Sequence, residues 1–270
     1  MTVVNISYYT DPACPWSWAL EPAVHRLARE YGQSVRFDYV MCGMAKRFGD
    51  PVRLLGETLE AGASSGMPVD GRLWLADPPR GSHPACMAVK AAAEQGDPAP
   101  YLRRLREGFM CRRLKLDTPE ALIQEARMVP DLDVERFRID LGSHAILEAF
   151  AADLDRAAGT PSEHHAPGAE RPPLPSLEFT HSDGTRTGVY GPAVYEQLDE
   201  AAARVGAEHT GAPAPGVLEA LRRPATMATA EVAAVCALPG PRAAAELWRL
   251  AAEWQVKPER LGSGELWTLG

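Results

Sequence analysis

The order in which hydrophobic periodicities follow one another restricts the fold of this chain more than any other sequence feature. An apolar run over residues 3–9 predicts a buried strand, helical spacing over 15–31 predicts a helix, and alternation over 35–41 predicts a second strand. From about residue 51 to residue 158 only helical spacing is found. A strand-helix-strand unit is therefore followed by a run of helices about as long as a domain.

Strand patterns return after this helical stretch. Residues 177–180 and 187–190 flank the turn pair Asp183-Gly184, which predicts a hairpin, and a helical pattern follows over 192–205. The segment between the insert and the hairpin is rich in Pro, Gly and His, which indicates a surface loop. We therefore predict an α/β fold made of a sheet domain (1–50 and 172–206), an inserted all-helical domain (51–160) and a loop (161–171).

The last sixty residues form a separate pattern. Three short helical periods over 217–222, 229–236 and 242–254 precede a predicted hairpin over 256–269, an order that resembles a winged helix. Residues 211–270 contain six basic residues, Arg223 among them, and six acidic ones, so this winged-helix-like module is neutral. Because binding to DNA phosphates requires basic residues that no acidic residues neutralise, we predict that this module docks on the rest of the chain or on another protein instead. The tail tryptophans Trp248, Trp254 and Trp267 are expected to be buried in these contacts.

Overall charge and hydropathy exclude several classes of partner. The chain has 28 Lys and Arg against 36 Asp and Glu, a net charge of −8, which argues against nucleic acid as a partner. No apolar run reaches the roughly 18 residues that a membrane span needs, and no basic leader precedes the first strand. We therefore expect no membrane partner and a cytoplasmic location.

The cysteines point to one activated thiol. Five cysteines, an odd number, stand at positions 14, 42, 86, 111 and 236. They are too sparse for a disulfide framework and lack the close pairs of a zinc site, and the histidines assemble no metal site either. No motif for a tightly bound cofactor is found. Cys14, in the sequence Cys14-Pro15-Trp16-Ser17, stands where a strand leads into a helix, and the unpaired N–H groups there favour a thiolate. We therefore predict a lowered pKa and nucleophilic chemistry for Cys14.

Three segments resemble one family. Residues 11–18 (DPACPWSW) are similar to the active-site turn of the DsbA-like branch of the thioredoxin superfamily, particularly the FrnE-like oxidoreductases and the related Spx-degradation adaptors. Residues 82–92, followed by 101–109, resemble the inserted helical domain of that family. Residues 174–179 and the following hairpin resemble its cis-proline strand and final hairpin. The resemblance covers residues 3–205 and leaves the tail as an addition.

The resemblance implies a thioredoxin fold with a helical insertion and a set of site residues. It implies a cis bond before Pro175, which would lie beside Cys14. It also implies that Leu174 pairs through its backbone with an extended substrate, and that Ser176 lies in the same substrate groove. Pro15 and Trp16 would complete the substrate-binding surface, with Pro15 stiffening the turn and Trp16 offering an apolar platform.

Ser17 departs from the dithiol pattern. A dithiol oxidoreductase needs a cysteine at this position to attack the mixed disulfide, and a hydroxyl cannot do so, although it can donate a hydrogen bond to a Cys14 thiolate. The remaining routes are a cycle with a low-molecular-weight thiol as co-substrate, resolution by another cysteine, or no turnover. Cys42, Cys86 and Cys111 are candidates for the second route, with packing as the alternative for each, whereas Cys236 is interpreted as packing.

The first functional hypothesis is a thiol-disulfide oxidoreductase or thiol transferase acting on a protein or small-molecule thiol or disulfide. Cys14 would attack, Ser17 would assist, and Pro175 would shape the groove. One alternative is a non-catalytic adaptor that holds a protein client with the same groove and the neutral tail. Another is a glutathione-dependent isomerase of the kappa-transferase type.

Overall fold

A mixed four-stranded sheet with the order β2-β1-β3-β4 forms the centre of the sheet domain in the computed structural model, which describes residues 3–222 and 226–270. β1 pairs parallel with β2 and antiparallel with β3, and β3 pairs antiparallel with β4. The predicted strands are present. They are β1 (Val4–Thr10), β2 (Val35–Met41), β3 (Ser176–Thr180) and β4 (Arg186–Tyr190).

The first helical segment is divided, contrary to the single helix predicted over 15–31. Its parts are α1 (Pro15–Ala19) and α2 (Glu21–Tyr31), which meet at Leu20. Pro22 explains the break, because proline lacks an N–H and its ring clashes with the carbonyl four residues earlier. A further helix, Tyr195–Arg204, follows the final hairpin and packs with α2 around a buried apolar cluster.

Seven helices lie between β2 and β3, which confirms a thioredoxin fold with a helical insertion. Two of them, at residues 72–76 and 134–141, have no counterpart in the sequence prediction, the first because it has only five residues and the second because it buries only Phe137. The seven are α3 (Pro51–Ser65), α4 (Arg72–Ala76), α5 (His83–Ala93), α6 (Ala99–Met110), α7 (Pro119–Ala126), α8 (Val134–Leu141) and α9 (His144–Ala158); the Tyr195–Arg204 helix is α10.

The insert is anchored on the end of the sheet that carries Cys14. Asp153 of α9 accepts a hydrogen bond from the backbone N–H of Met41 at 2.8 Å. The indole of Trp18 donates to the carbonyl of Pro68 at 2.9 Å, and Trp18 is fully buried among apolar residues of the insert. The turn after β1 is therefore enclosed by the helical insert.

The tail contains the predicted helices and hairpin together with a short extra strand. Its three-stranded sheet has the order β5-β7-β6, and the predicted tail cation Arg223 lies outside the described residues. The elements are α11 (Val217–Ala220), β5 (Met227–Ala228), α12 (Thr229–Val235), α13 (Arg242–Ala252), β6 (Val256–Leu261) and β7 (Gly264–Leu269).

The tail packs against the rest of the chain through buried polar contacts. Glu231 of α12 is fully buried and binds the guanidinium of Arg103 in α6 with two hydrogen bonds of 2.6 and 2.8 Å. Ser263, in the turn between β6 and β7, exchanges two 3.0 Å hydrogen bonds with the backbone of Val69. These contacts fix the tail on the insert.

The tail tryptophans are only partly as predicted. Trp267 is fully buried, but Trp248 is 42% exposed and Trp254 is 83% exposed, so the expected burial of Trp254 is wrong. Trp254 directly follows α13 and has a positive φ of 61°, a backbone conformation that directs the chain away from the helix. Among the described residues, no helix combines the length and the apolar character needed to cross a membrane.

Candidate active site

Cys14 lies at the N-terminus of α1, as the sequence predicts. Asp11 shapes the preceding turn, because its carboxylate accepts a 2.8 Å hydrogen bond from the N–H of Ala13 and its carbonyl accepts from the N–H of Cys14. The Cys14 sulfur in turn accepts a hydrogen bond from the backbone N–H of Ser17 at 3.4 Å. The thiol therefore caps the helix that follows it.

The loop before β3 covers the thiol. The Leu174–Pro175 peptide bond is cis, and the Sγ of Cys14 lies 3.8 Å from the carbonyl oxygen of Leu174, a long thiol-to-carbonyl contact. Cys14, Leu174 and the neighbouring Tyr9 belong to one small apolar cluster, against which Trp16 also packs. The carbonyl predicted to pair with a substrate thus faces Cys14 in this structure.

The predicted lowering of the Cys14 pKa is wrong for this structure. Cys14 is 2% exposed, and burial raises the pKa of its thiol, because desolvation penalises the thiolate. Hydrogen bonds from the Ser17 side chain and N–H oppose this rise, whereas the charge of Asp11 adds to it. The helix gives little compensation, since α1 has only five residues and sums few peptide dipoles.

The sequence analysis missed the polar groups beneath the thiol. The hydroxyl of Thr10 donates to that of Ser17 at 2.9 Å, and both residues are fully buried. Arg106 of α6, itself 2% exposed, donates to Thr10 and forms an ion pair with Glu21. No local sequence signal marks Arg106, because an arginine within an amphipathic helix is typical of a solvated face.

Asp11 links the cysteine turn to the insert and was likewise not singled out. It is fully buried and accepts hydrogen bonds from the N–H of Met44 and the hydroxyl of Ser82, both at 2.6 Å. The thiol of Cys86 donates to the same carboxylate at 3.2 Å. A buried carboxylate needs such donors, and an aspartate within an apolar turn is the signal that could have indicated them.

The predicted substrate-binding residues are unequally accessible. Trp16 is partly exposed, whereas Pro15 and Pro175 are buried and Leu174 is 8% exposed. Ser176 is fully buried, and its hydroxyl donates to the carbonyl of Pro173 at 2.5 Å and accepts from the N–H of Gly191 at 3.1 Å. The Ser176 hydroxyl is therefore engaged within the fold, and its predicted contact with substrate stays a prediction.

All five cysteines are buried and unpaired. Cys42 and Cys111 donate to the carbonyls of Val40 and Pro68 at 3.4 and 3.1 Å. Burial raises the pKa of the thiols of Cys42, Cys86 and Cys111 and raises that of Cys236 to about 11. No resolving thiolate for Cys14 is apparent among the described residues.

Two clusters of carboxylates and histidine have ligand atoms close enough to surround a metal ion. In the first, Glu21 and Glu231 share the guanidinium of Arg103, and His25 binds Glu231 at 3.0 Å, so protein groups already neutralise the carboxylates. In the second, Glu30 binds Arg26 at 3.0 Å, and Tyr195 also donates to it. Because protein groups already bind these carboxylates, we assign a metal ion to neither cluster.

Comparisons with known proteins define the class. A family model described as Thioredoxin matches residues 8–161. A ClpXP adapter protein SpxH from Halalkalibacterium halodurans is 32% identical over 56% of this chain and 53% of its own length. A second ClpXP adapter protein SpxH, from Shouchella clausii, is 28% identical over 98% of this chain and 88% of its own. A crystal structure of a provisionally assigned protein disulfide isomerase from Nitrosomonas europaea superposes with a TM-score of 0.65 at 17% identity, covering 76% of this chain and 99% of that one.

The chain belongs to the thioredoxin family. In sequence it is similar to the two SpxH adapter proteins, and it shares its fold with the Nitrosomonas structure. The matched region spans about half the length of the Halalkalibacterium relative, whereas the match to the Shouchella relative extends into the tail. The Nitrosomonas structure shares the fold of this chain, but a sequence identity of 17% carries no information about the substrate.

Proposed function

We propose that the protein is a thioredoxin-fold adaptor that holds a protein client for a ClpXP-type protease. The observation that carries this proposal is the state of Cys14. Its thiol is buried with a raised pKa, and Ser17 stands where a resolving cysteine is needed. A protonated thiol is a poor nucleophile, and a hydroxyl cannot release a mixed disulfide. The names of the two curated relatives, both ClpXP adapter proteins, support a client-binding role.

The attachment of the tail also supports this role. An adaptor has to present client and protease in a fixed relative position, which a freely tethered module cannot do. The buried pair of Glu231 and Arg103 and the backbone contacts of Ser263 hold the tail against the insert. The five unpaired cysteines are consistent with a reducing compartment, so we propose that the protein acts in the cytoplasm.

A genetic experiment tests the adaptor proposal. Protein levels are compared by quantitative mass spectrometry in the source organism without the gene, with the wild-type gene and with Cys14→Ser, each with and without ClpP. We expect at least one client to accumulate without the gene only when ClpP is present, and both genes to restore its level. Cys236→Ser is the matched control for loss of a buried thiol.

Two outcomes contradict the proposal. If no protein accumulates in a ClpP-dependent manner, the chain is not an adaptor for this protease. If Cys14→Ser fails where Cys236→Ser restores the client level, the thiol chemistry of Cys14 is required and a non-catalytic role is wrong.

A single-cysteine thiol transferase is the second candidate, because the backbone N–H of Ser17 donates to the Cys14 sulfur at 3.4 Å. In such a cycle the sulfur of Cys14 attacks a disulfide, one sulfur leaves as a thiolate and takes up a proton, and a low-molecular-weight thiol reduces the mixed disulfide. The reducing equivalents come from two molecules of that thiol, which leave as their disulfide.

Ser17→Cys tests the second candidate. With a cysteine at position 17, we expect Cys14 and the new thiol to form a disulfide in oxidised glutathione and the variant to reduce insulin disulfides with dithiothreitol above the wild-type rate. Ser34→Cys, at a buried serine directly before β2, is the control. A folded Ser17→Cys variant without such a disulfide indicates that the groove does not support disulfide exchange.

A further inference from the structure

One face of α13 forms the wall of a groove in the tail. The groove has a volume of about 470 Å³, within the roughly 300–1,000 Å³ that is usual for small-molecule sites. The wall runs from residue 242 to residue 249, which is about 10 Å at 1.5 Å per residue. Its side chains are Arg242, Ala245, Glu246 and Arg249, and the opposite side and the floor are formed by Pro215, Gly216, Val217, Cys236 and Leu238. The tail therefore contains a cavity of ligand size that is separate from the Cys14 site.

The floor of this groove is apolar and uncharged. Val217 and Cys236 are buried, and Leu238 is partly buried. Burial raises the pKa of the Cys236 thiol to about 11, so this thiol is neutral at physiological pH. A hydrocarbon chain placed on the floor would remove apolar surface of both the ligand and the protein from water. The floor therefore favours an aliphatic group.

The rim of the groove carries one cation without an acidic partner. Glu246 accepts hydrogen bonds of 2.9 and 2.8 Å from Arg249, so these two charges neutralise each other. Arg249 also binds Glu253, which does not line the groove. In the described part of the chain, no carboxylate forms an ion pair with Arg242, which is exposed at the start of α13. The groove thus offers one positive charge beside an apolar floor.

We propose that the groove binds an aliphatic monocarboxylate of about the length of octanoate, with its carboxylate at Arg242 and its hydrocarbon chain on the apolar floor. One unpaired guanidinium matches a monoanion, and it can donate two parallel hydrogen bonds to a carboxylate. The wall of about 10 Å is as long as an extended octanoate chain. This binding site goes beyond both functions proposed above and does not depend on either.

Isothermal titration calorimetry of the full-length protein with hexanoate, heptanoate and octanoate at pH 7 tests the proposal. We expect saturable binding of one ligand per chain. Each added methylene should strengthen binding about two- to fourfold, because it leaves water for the apolar floor. Octanol has the same chain without the charge and should bind about three- to fivefold more weakly than octanoate, since an exposed ion pair contributes modestly. This difference should shrink at high salt.

Substitution of Arg242 tests the position of the carboxylate. Arg242→Gln should weaken octanoate binding to the level of octanol and leave octanol binding unchanged. Arg260→Gln is the matched control, because the Arg260 side chain is 79% exposed on β6 and lies outside the groove. It should change the binding of neither ligand.

Substitution of Ala245 tests the position of the hydrocarbon chain. Ala245→Trp fills the groove and should abolish the binding of octanoate and octanol, whereas Ala203→Trp, at an exposed alanine of α10, should change neither. Ala245→Glu places a second carboxylate beside the bound one and should abolish octanoate binding even if Ala245→Trp does not fold. Ala203→Glu is its control.

Three results would overturn the proposal in the binding experiments. They are an absence of saturable octanoate binding, octanol binding as tightly as octanoate, and wild-type affinity for octanoate in Ala245→Glu or Arg242→Gln. Sedimentation gives a fourth. A dimer that Ala245→Glu prevents and octanoate leaves intact would place a second copy of the chain in the groove, and the monocarboxylate site would then be wrong.

Discussion

Two buried sites hold an ionisable side chain: the junction between the tail and the insert, around Glu231, and the turn around Cys14. The pKa of the acid is lowered at the first and raised at the second. Burial raises the pKa of an acid at both sites. At the junction the charges of Arg103 and His25 overcome this effect and lower the pKa of Glu231 to about 2. At the turn no cation of the described part of the chain forms an ion pair with the sulfur, so desolvation prevails and the pKa of Cys14 is raised.

The difference shows what decides the state of a buried acid in this protein. Glu231 has Arg103 at 2.6 Å and His25 at 3.0 Å, whereas Arg106, the guanidinium below Cys14, is paired with Glu21. Buried charges are stable when paired, and an unpaired acid is more stable in its neutral form. Cys14 therefore stands at the helix start where the nucleophile of a thioredoxin fold stands, but its raised pKa favours the neutral thiol, as in a cysteine that only packs.

Removing the carboxylate at the junction is expected to have the largest effect. Glu231→Gln leaves the buried Arg103 and His25 with less compensation and should lower the free energy of unfolding by roughly 3 kcal/mol, measured by urea denaturation at pH 7. Glu246→Gln breaks an exposed pair with Arg249 and should cause no measurable change. Equal effects of the two variants would contradict the contrast between buried and exposed pairs.

The same substitution should change the acid dependence of stability. Because the pKa of Glu231 is lowered to about 2, its contribution is complete above the unfolded value of about 4.3 and is lost as the pH falls towards 2. The difference in unfolding free energy between wild type and Glu231→Gln should thus shrink by roughly 3 kcal/mol between pH 5 and pH 2. A difference that stays constant over this range would mean that Glu231 is not held charged.

Cys14 should show the opposite dependence at alkaline pH. An acid with a raised pKa contributes stability below its unfolded value, about 8.5 for a thiol, and loses it as the pH rises. Relative to Cys14→Ala, the wild type should lose stability between pH 8 and pH 10, by at most about 2 kcal/mol, the limit for a thiol that stays protonated in the folded state; urea denaturation under reducing conditions measures the loss. Cys236, whose thiol pKa is raised to about 11, should show a loss in the same direction when the wild type is compared with Cys236→Ala. A gain in relative stability of the wild type would show that Cys14 is a folded-state thiolate and would reverse the comparison.

An exposed strained residue gives the smallest expected effect and a scale for the two buried sites. Trp254 has a φ of 61° after α13, and the N–H of Gln255 bonds the carbonyl of Leu250, the pattern of a helix end that favours glycine. Trp254→Gly should raise the free energy of unfolding by roughly 0.5 kcal/mol, since relief of left-handed strain slightly exceeds the added chain entropy. Ala252→Gly, inside the last turn, should lower it by up to about 1 kcal/mol. A loss of stability in Trp254→Gly would mean that its side chain makes contacts worth more than the strain.

Local patterns in the sequence predicted the elements well, because each strand and helix is encoded by residues two to four positions apart. The four strands of the main sheet, the helical character of the insert and the helices and hairpin of the tail all appear where the periodicity predicts them. The break at Leu20 was missed although Pro22 signals it. The helix α4 was missed because it has five residues, and α8 because it buries only Phe137 and so has no apolar period. The exposure of Trp254 was missed because its left-handed backbone has no periodic signal.

By itself, the sequence determined that Cys14 stands between a strand and a helix and that Ser17 replaces a second cysteine. Only the tertiary structure decided how these groups are protonated. Cys14 meets Leu174 from 160 positions away, Thr10 meets Arg106 from 96, and Arg103 meets Glu231 from 128. Burial and pairing set the charge of a group, and both depend on which distant side chains the fold brings to it, which no local period records.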